Sequence, residues 1–210
     1  MSRHGLVLIG AGGHARACID VIEQRGGFDI VGLVGAPEER GTVCLGYPVI
    51  GVDADLGSLA GRHRHAVVAV GQLTSPVLRI ELHRRAVEAG FELPVIVSPQ
   101  AYVSPHAMIG EGTVVLHGAI INAGARIGRN CIINSRALIE HDARVGDHCH
   151  VSTAAVVNGQ ARIGEGSFIG SGSVVRESCT IGAGCVVGMG LAVRRDLADH
   201  TRHIGAKPHG

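Results

Sequence analysis

The sequence predicts a small parallel α/β domain followed by a three-sided parallel β-helix. Three observations carry that prediction. Over the first ninety residues, short apolar runs alternate with helix-spaced segments behind a glycine-rich turn. From Val97 to Val193 every sixth residue is Ile or Val, seventeen positions without a break. Glycine supplies 32 of 210 residues with no Gly-X-Y period, so the chain turns often and is not collagen.

The first element is a strand over Leu6 to Ile9, followed by a turn at Gly10, Gly12 and Gly13. A helix over Ala15 to Arg25 carries Ala17, Cys18, Val21 and Ile22 at helical spacing. Strands are expected at Ile30–Val34 and Ala66–Gly71, and a second helix from about Pro76 to Gly90. The join falls near residues 91–99, dividing the chain into 1–92 and 93–210. The pattern Gly10-x-Gly12-x-x-Ala15 loosely fits a dinucleotide fingerprint. An NAD site also wants an acid at the end of the second strand, where this chain has Val34-Gly35; Glu38 and Glu39 come later. A nucleotide-phosphate turn and a turn that only serves packing are the alternatives.

In the second region the branched column runs Val97, Val103, Ile109 and onward, and small residues such as Ala125, Cys131 and Ala137 lie four residues after each. Gly110, Gly128, Gly146, Gly164 and Gly182 add a beat of eighteen. Three strands of about six residues then make one triangular coil. The branched side chain fills the interior, the small one fits the crowded corner, and glycine takes the unusual turn angles. Coils stack about 4.8 Å apart.

Composition excludes several classes. Hydrophobic residues are 46% and charged residues 18%, which is globular composition. A net charge of +1 gives no global field for nucleic acid or anionic membranes. Five aromatics and no Trp leave no stacking platform for single strands. The only Lys is Lys207, in the tail, so neither a P-loop Lys nor a Schiff-base Lys is available. Six cysteines without a CxxC pair suggest neither disulfides nor zinc. No apolar run approaches about 18 residues, and the opening segment lacks a signal-peptide pattern, so a cytoplasmic protein is expected.

Hexapeptide repeats joined to GAGGH (10–14), GYPVIG (46–51), AVGQ (69–72) and INSRALIEHDARVGDHCHVS (133–152) resemble the NeuD/PglD-type sugar O/N-acyltransferases. The resemblance covers nearly the whole chain. It implies a Rossmann-like nucleotide-sugar-binding domain and a left-handed parallel β-helix acyltransferase domain. It also implies a homotrimer with acyl-CoA sites between neighbours, and acetyl-CoA as co-substrate without a metal. The reaction it implies is acetylation of an amino group on a nucleotide-linked sugar, in cell-surface polysaccharide biosynthesis.

By that resemblance His141 is the general base and Asp142 the acid that orients it. His150 and Gly159 lie at the acyl donor, Gly159 through its N–H. Asn134 and Glu140 line the sugar pocket. Gly10, Gly12, Gly13 and His14 contact substrate, and Arg79 matches a family Arg. Repeat arithmetic supports one pairing independently. Gly159 is eighteen residues after His141, hence one coil along and roughly 5 Å away.

Three other readings remain. One is O-acetylation of a hydroxyl acceptor. Another is a metal prism of the γ-carbonic-anhydrase kind using His141, His148 and His150. The third is a non-catalytic prism for assembly or sensing. The nucleotide, the sugar, the amine position and the acyl length stay open at this level.

Overall fold

The computed structural model describes residues 4–205; residues 1–3 and 206–210, Lys207 among them, lie outside the described residues. The N-terminal domain contains β1 (His4–Ile9), α1 (Gly13–Arg25), β2 (Phe28–Val34), β3 (Val43–Cys44), β4 (Tyr47–Gly51), α2 (Leu56–Ala60), β5 (His65–Val68) and α3 (Val77–Ala89). Its sheet runs in the order β3-β4-β2-β1-β5, parallel except for β3 against β4. The chain reverses direction across the sheet beside β1, so the crevice at the carboxyl ends of β1 and β5 is a switch point.

The strands and helices expected in the N-terminal domain are present; the end of the third strand differs, and the hairpin β3–β4 and the short helix α2 are additions. The third expected strand ends at Val68 rather than Gly71. The hairpin β3–β4 is unforeseen. Its two-residue turn, Leu45 (φ 48°) and Gly46 (φ 88°), is left-handed at both positions and suits the twist of paired strands. A two-residue strand followed by a Pro carries almost no periodic signal.

Alternation along β1 splits the core. Leu6 and Leu8 pack with Cys18, Ile19 and Ile22 of α1 on one face. Val7 and Ile9 pack with Leu56, Leu59, Leu82 and Ala86 on the other. Glu92 makes a last parallel bridge to His65, and Ile96–Val97 opens the repeat region.

The repeats stack into three parallel sheets, which enclose a triangular prism. Residues eighteen apart are register partners, as Ile120 with Leu138 and Arg126 with Arg144. The branched column is buried inside, together with the small column. Each strand is only two residues long, not six; the remainder of each hexapeptide is corner.

The corners demand a left-handed residue. At every sixth position from Gly112 to Gly190 φ is positive, including Asn130, Arg136, Asp142, His148, Ala154, Gln160 and Ser178. The eighteen-residue glycine beat has a different cause from the one expected. Gly110, Gly128 and Gly146 do not have positive φ, yet a Cβ on each would fall 2.6–2.8 Å from backbone of the next coil. Glycine there permits stacking, not an unusual angle. The small column also does chemistry for the backbone. Thr113 Oγ1 donates to Gly128 O at 2.8 Å, and Cys131 Sγ to Gly146 O at 3.1 Å. The six cysteines are all buried.

Each face has its own outward row. The first presents Ile96, Val114, Ile132, His150, Phe168 and Val186. The second presents Tyr102, Ile120, Leu138, Val156, Val174 and Ala192. The third presents Met108, Arg126, Arg144, Arg162 and Thr180. The N-terminal domain sits on the first face, where Ile96, Val114 and Leu116 join the α1 core. The corner holding residues 140–143 joins the second and third faces. It therefore stands opposite the N-terminal domain of its own chain.

Candidate active site

The expected site residues separate into two groups. Glu140, His141, Asp142 and Gly159 form one, at the corner between the second and third faces. Gly10, Gly12, Gly13, His14, Asn134 and His150 form the other, around the domain junction.

At the exposed corner, His141 Nδ1 and Asp142 Oδ2 are 3.0 Å apart. With Nδ1–H donating to the carboxylate, the lone pair rests on Nε2. Asp142 occupies the left-handed position its corner requires, φ 60°. Two glycines make room for the pair. A Cβ on Gly124, one coil before, would collide with the Asp142 carboxylate. A Cβ on Gly159, one coil after, would fall 2.7 Å from His141 Nε2. Gly159 has no positive φ, so the imidazole, not the backbone, requires glycine there. Among the described residues no backbone acceptor takes the Gly159 N–H. Glu140 is held from below: Asn122 Nδ2 donates to Glu140 Oε2 at 2.9 Å. Gly124 and Asn122 escaped sequence reasoning. Their signal is the same interval of eighteen, counted backwards from Asp142 and Glu140.

At the junction His150 is buried. Its Nδ1–H donates to Gln72 O at 2.5 Å. Asn134 Oδ1 takes the Ser135 N–H at 2.7 Å, so Asn134 Nδ2 is the group 3.1 Å from His150 Nε2. His150 is thus neutral with Nε2 accepting, and burial pushes its pKa down to about 4. His14, on the first turn of α1, is pushed down to about 3, by burial first and then by Arg79 and His150.

Arg79 is fully buried. Its Nη1 donates to Val68 O at 2.7 Å and Val70 O at 2.8 Å, and its Nε to Asn130 O at 3.1 Å. It ties the carboxyl end of β5 to a prism corner. Gln72, from the AVGQ stretch, adds a bond from Nε2 to Gly166 O at 3.1 Å. His117 spans the opposite edge, between Ser98 Oγ at 2.7 Å and Asp20 Oδ2 at 2.9 Å.

A cleft of about 380 Å³ opens beyond the carboxyl ends of β1, β2 and β5, lined by residues 10–14, Gly35, Glu39, Asp53 and Gly71 among others. Gly10 has φ 120° and presses on Val70, so its glycine is structural. Gly12 and Gly13 have neither a positive φ nor any atom within 4 Å of an added Cβ. Nothing in the protein requires glycine there; a ligand approaching the backbone would. Val34-Gly35 indeed lacks an acid, but the chain returns one to that spot. Glu39 Oε2 accepts the Ala36 N–H at 2.8 Å, and a Cβ on Gly35 would fall 2.7 Å from it. Asp53 faces the same cleft.

His141, His148 and His150 do not converge in one chain. They lie at one corner, at another corner beside Asn130, and on the first face. Among the described residues no group of three metal-ligating side chains stands together, and no helix is long and apolar enough to cross a membrane.

A His–Asp pair packed against a glycine of the next coil, on a hexapeptide prism joined to an α/β domain with a cleft at its strand ends, is an arrangement suited to an acyltransferase of the hexapeptide class. Comparison narrows this. Residues 5–85 match the PglD N-terminal domain, and residues 160–195 match the bacterial transferase hexapeptide repeat. PerB from Caulobacter crescentus, solved in complex with CoA and GDP-perosamine, is 38% identical, with 94% of this chain and 92% of that one covered and a TM-score of 0.87. The acetyltransferase domain of PglB from Neisseria gonorrhoeae FA1090, in complex with acetyl coenzyme A, is 34% identical over 95% of each chain, with a TM-score of 0.86. WeeI from Acinetobacter baumannii AYE shares the fold at 20% identity and a TM-score of 0.71. No curated protein sequence matches. The chain belongs to the PglB/PerB-type sugar N-acetyltransferases, and its prism is the left-handed parallel β-helix of that family.

Proposed function

We propose that this protein transfers the acetyl group of acetyl-CoA to the amino group of a nucleotide-linked sugar. The observation that carries the mechanism is His141 Nε2 facing the glycine at 159, with Nδ1 engaged by Asp142. The sugar amine attacks the thioester carbonyl carbon as His141 Nε2 takes its proton. The resulting oxyanion accepts the Gly159 N–H. When the C–S bond breaks, the proton on His141 passes to the departing CoA thiolate. Asp142 fixes the tautomer throughout and stabilises the imidazolium. All six cysteines are buried, which supports direct attack over a cysteine-bound intermediate.

The cleft suits the nucleotide. The amides at Gly12 and Gly13 and the N-terminus of α1 attract a diphosphate. Glu39 and Asp53 offer acceptors to ribose hydroxyls or base N–H groups. Asn134, Glu140 and His150 complete the sugar and donor contacts, His150 as an acceptor. The PerB complex with GDP-perosamine supports GDP among the nucleotides to test.

A homotrimer is part of this reading. His141 and Asp142 are each 61% exposed, too wet for charge development in a lone chain. The cleft lies on the far side of the prism. The second face offers an apolar row with Tyr102 56%, Ile120 41% and Val174 40% exposed, which a second copy would cover. A cytoplasmic setting and a place in polysaccharide biosynthesis go with the substrates.

The test is acetyl-CoA with UDP-, dTDP- and GDP-linked amino sugars and their hydroxyl analogues. Thiol release is followed by absorbance and product by mass. N-acetylation of one amine is expected. Turnover of hydroxyl analogues alone, or of none, contradicts the reading.

A further inference from the structure

The cleft continues past the end of β2 into a second hollow. This hollow, of about 480 Å³, shares Gly35, Ala36 and Asp53 with the cleft and adds Pro37, Val52 and Arg85 among its walls. The two carboxylates of the turn at 53–55 have different occupations. Asp55 accepts the Val52 N–H at 2.9 Å and pairs with Arg40, so it holds the turn together. Asp53 holds nothing of its own turn. Its side-chain partner among the described residues is Arg85, with Nη1 3.5 Å from Oδ2, the long limit of a hydrogen bond. Arg85 is anchored elsewhere, its Nε donating to Glu81 Oε1 at 2.8 Å.

The order of these parts matches the order of a nucleoside diphosphate. The turn at Gly12 and Gly13 suits the diphosphate. Glu39 returns an acid to the end of β2, where dinucleotide-binding sheets hold a ribose. The hollow beyond it then falls to the base. Ala36, Pro37 and Val52 offer apolar surface to a flat ring, and the charged groups are one carboxylate and one guanidinium.

Those two groups discriminate between bases. An ionised carboxylate only accepts hydrogen bonds, and a guanidinium only donates them. On guanine the acceptor O6 stands beside two donors, N1–H and the N2 amino group. Arg85 can meet O6 while both Asp53 oxygens meet donors. Uracil and thymine carry one N–H between two carbonyls, so the second Asp53 oxygen would face a carbonyl. Adenine and cytosine place an acceptor ring nitrogen beside their amino group, and the carboxylate again meets an acceptor. A site built this way rejects the base that leaves its polar groups unpaired. We infer that Asp53, with Arg85 beside it, selects guanine as the base of the acceptor nucleotide. This rests on the nucleotide-sugar reading above.

The test is calorimetric titration of the whole protein with GDP, ADP, UDP and dTDP, which needs no turnover. GDP is expected to bind at least about tenfold more tightly than the other three. ADP controls for ring size, since it is a purine without the paired donors. Asp53→Asn replaces one acceptor by a donor, a pattern that suits uracil and not guanine. It should weaken GDP by at least about tenfold and leave UDP no weaker. Retained UDP binding also shows that the variant is folded. Glu39→Gln, at the ribose, should weaken GDP and UDP alike. Wild-type protein that binds UDP or ADP as tightly as GDP overturns the inference and leaves the nucleotide-sugar reading standing. Equal losses for GDP and UDP in Asp53→Asn overturn it too, because they place Asp53 at the ribose. Binding of none of the four overturns both.

Discussion

Gly159 stands against the His141 imidazole, and a Cβ at 159 would lie 2.7 Å from Nε2 and 2.9 Å from Cε1. The backbone at 159 does not need glycine, because its φ is not positive. The residue is small for the sake of the ring beside it.

Gly159→Ala therefore separates chemistry from stability. The added methyl displaces the imidazole and crowds the N–H proposed to meet the oxyanion. A loss of at least roughly tenfold in kcat is expected. The melting temperature should stay within a few degrees. Kinetics and thermal unfolding on the same preparation check both halves.

His141→Ala removes the proposed general base. A kcat loss of about 10²-fold or more is expected, with KM for acetyl-CoA little changed. Asp142→Asn keeps a residue that tolerates the left-handed corner but weakens the hold on Nδ1. It should lose less than His141→Ala, with no fall in melting temperature.

The cleft can be probed without disturbing the fold. Gly12→Ala meets no atom within 4 Å and no backbone strain, so stability should hold or rise slightly. If a nucleotide approaches that turn, its KM should rise several-fold. Glu39→Gln should likewise raise KM for the nucleotide sugar and leave acetyl-CoA alone. Nucleotide titration and steady-state kinetics measure these effects.

Acid should destabilise the domain junction. His14 and His150 are buried and neutral, with pKa values pushed down to about 3 and about 4. Unfolded histidine titrates near 6.5, so below that pH the unfolded chain binds more protons than the folded one. Their full contribution holds above about pH 6.5 and is lost as pH falls towards 4. A melting temperature lower by roughly 5 °C or more is expected across that window. His14→Gln should flatten the dependence.

The prism was legible because its code is local. A buried residue every six, and a stacking partner every eighteen, follow from the coil itself. Hence Gly159 could be paired with His141 by counting alone. The reason for the eighteen-residue glycines could not be read that way, since close stacking and a left-handed turn both call for glycine. The junction was harder. His150, Gln72 and Arg79 meet across tens of residues, and no periodicity relates 72 to 150. In sequence Glu39 comes several residues after β2, yet a short turn after Ala36 carries its carboxylate back to the end of that strand. The expected site residues lie on two sides of the prism, which only the cyclic order of the faces reveals.

In the function proposed here, acetyl transfer occurs where the cleft of one chain meets the His141 corner of another. Co-expression tests it most directly. One chain carries His141→Ala, and the other carries Gly12→Trp to fill the cleft; mixed assemblies are isolated with two affinity tags. Each variant alone should be inactive. Mixed assemblies should regain transfer to the nucleotide-linked amine, because some interfaces then pair an intact cleft with an intact His141. Mixed assemblies as inactive as their parents would contradict the account.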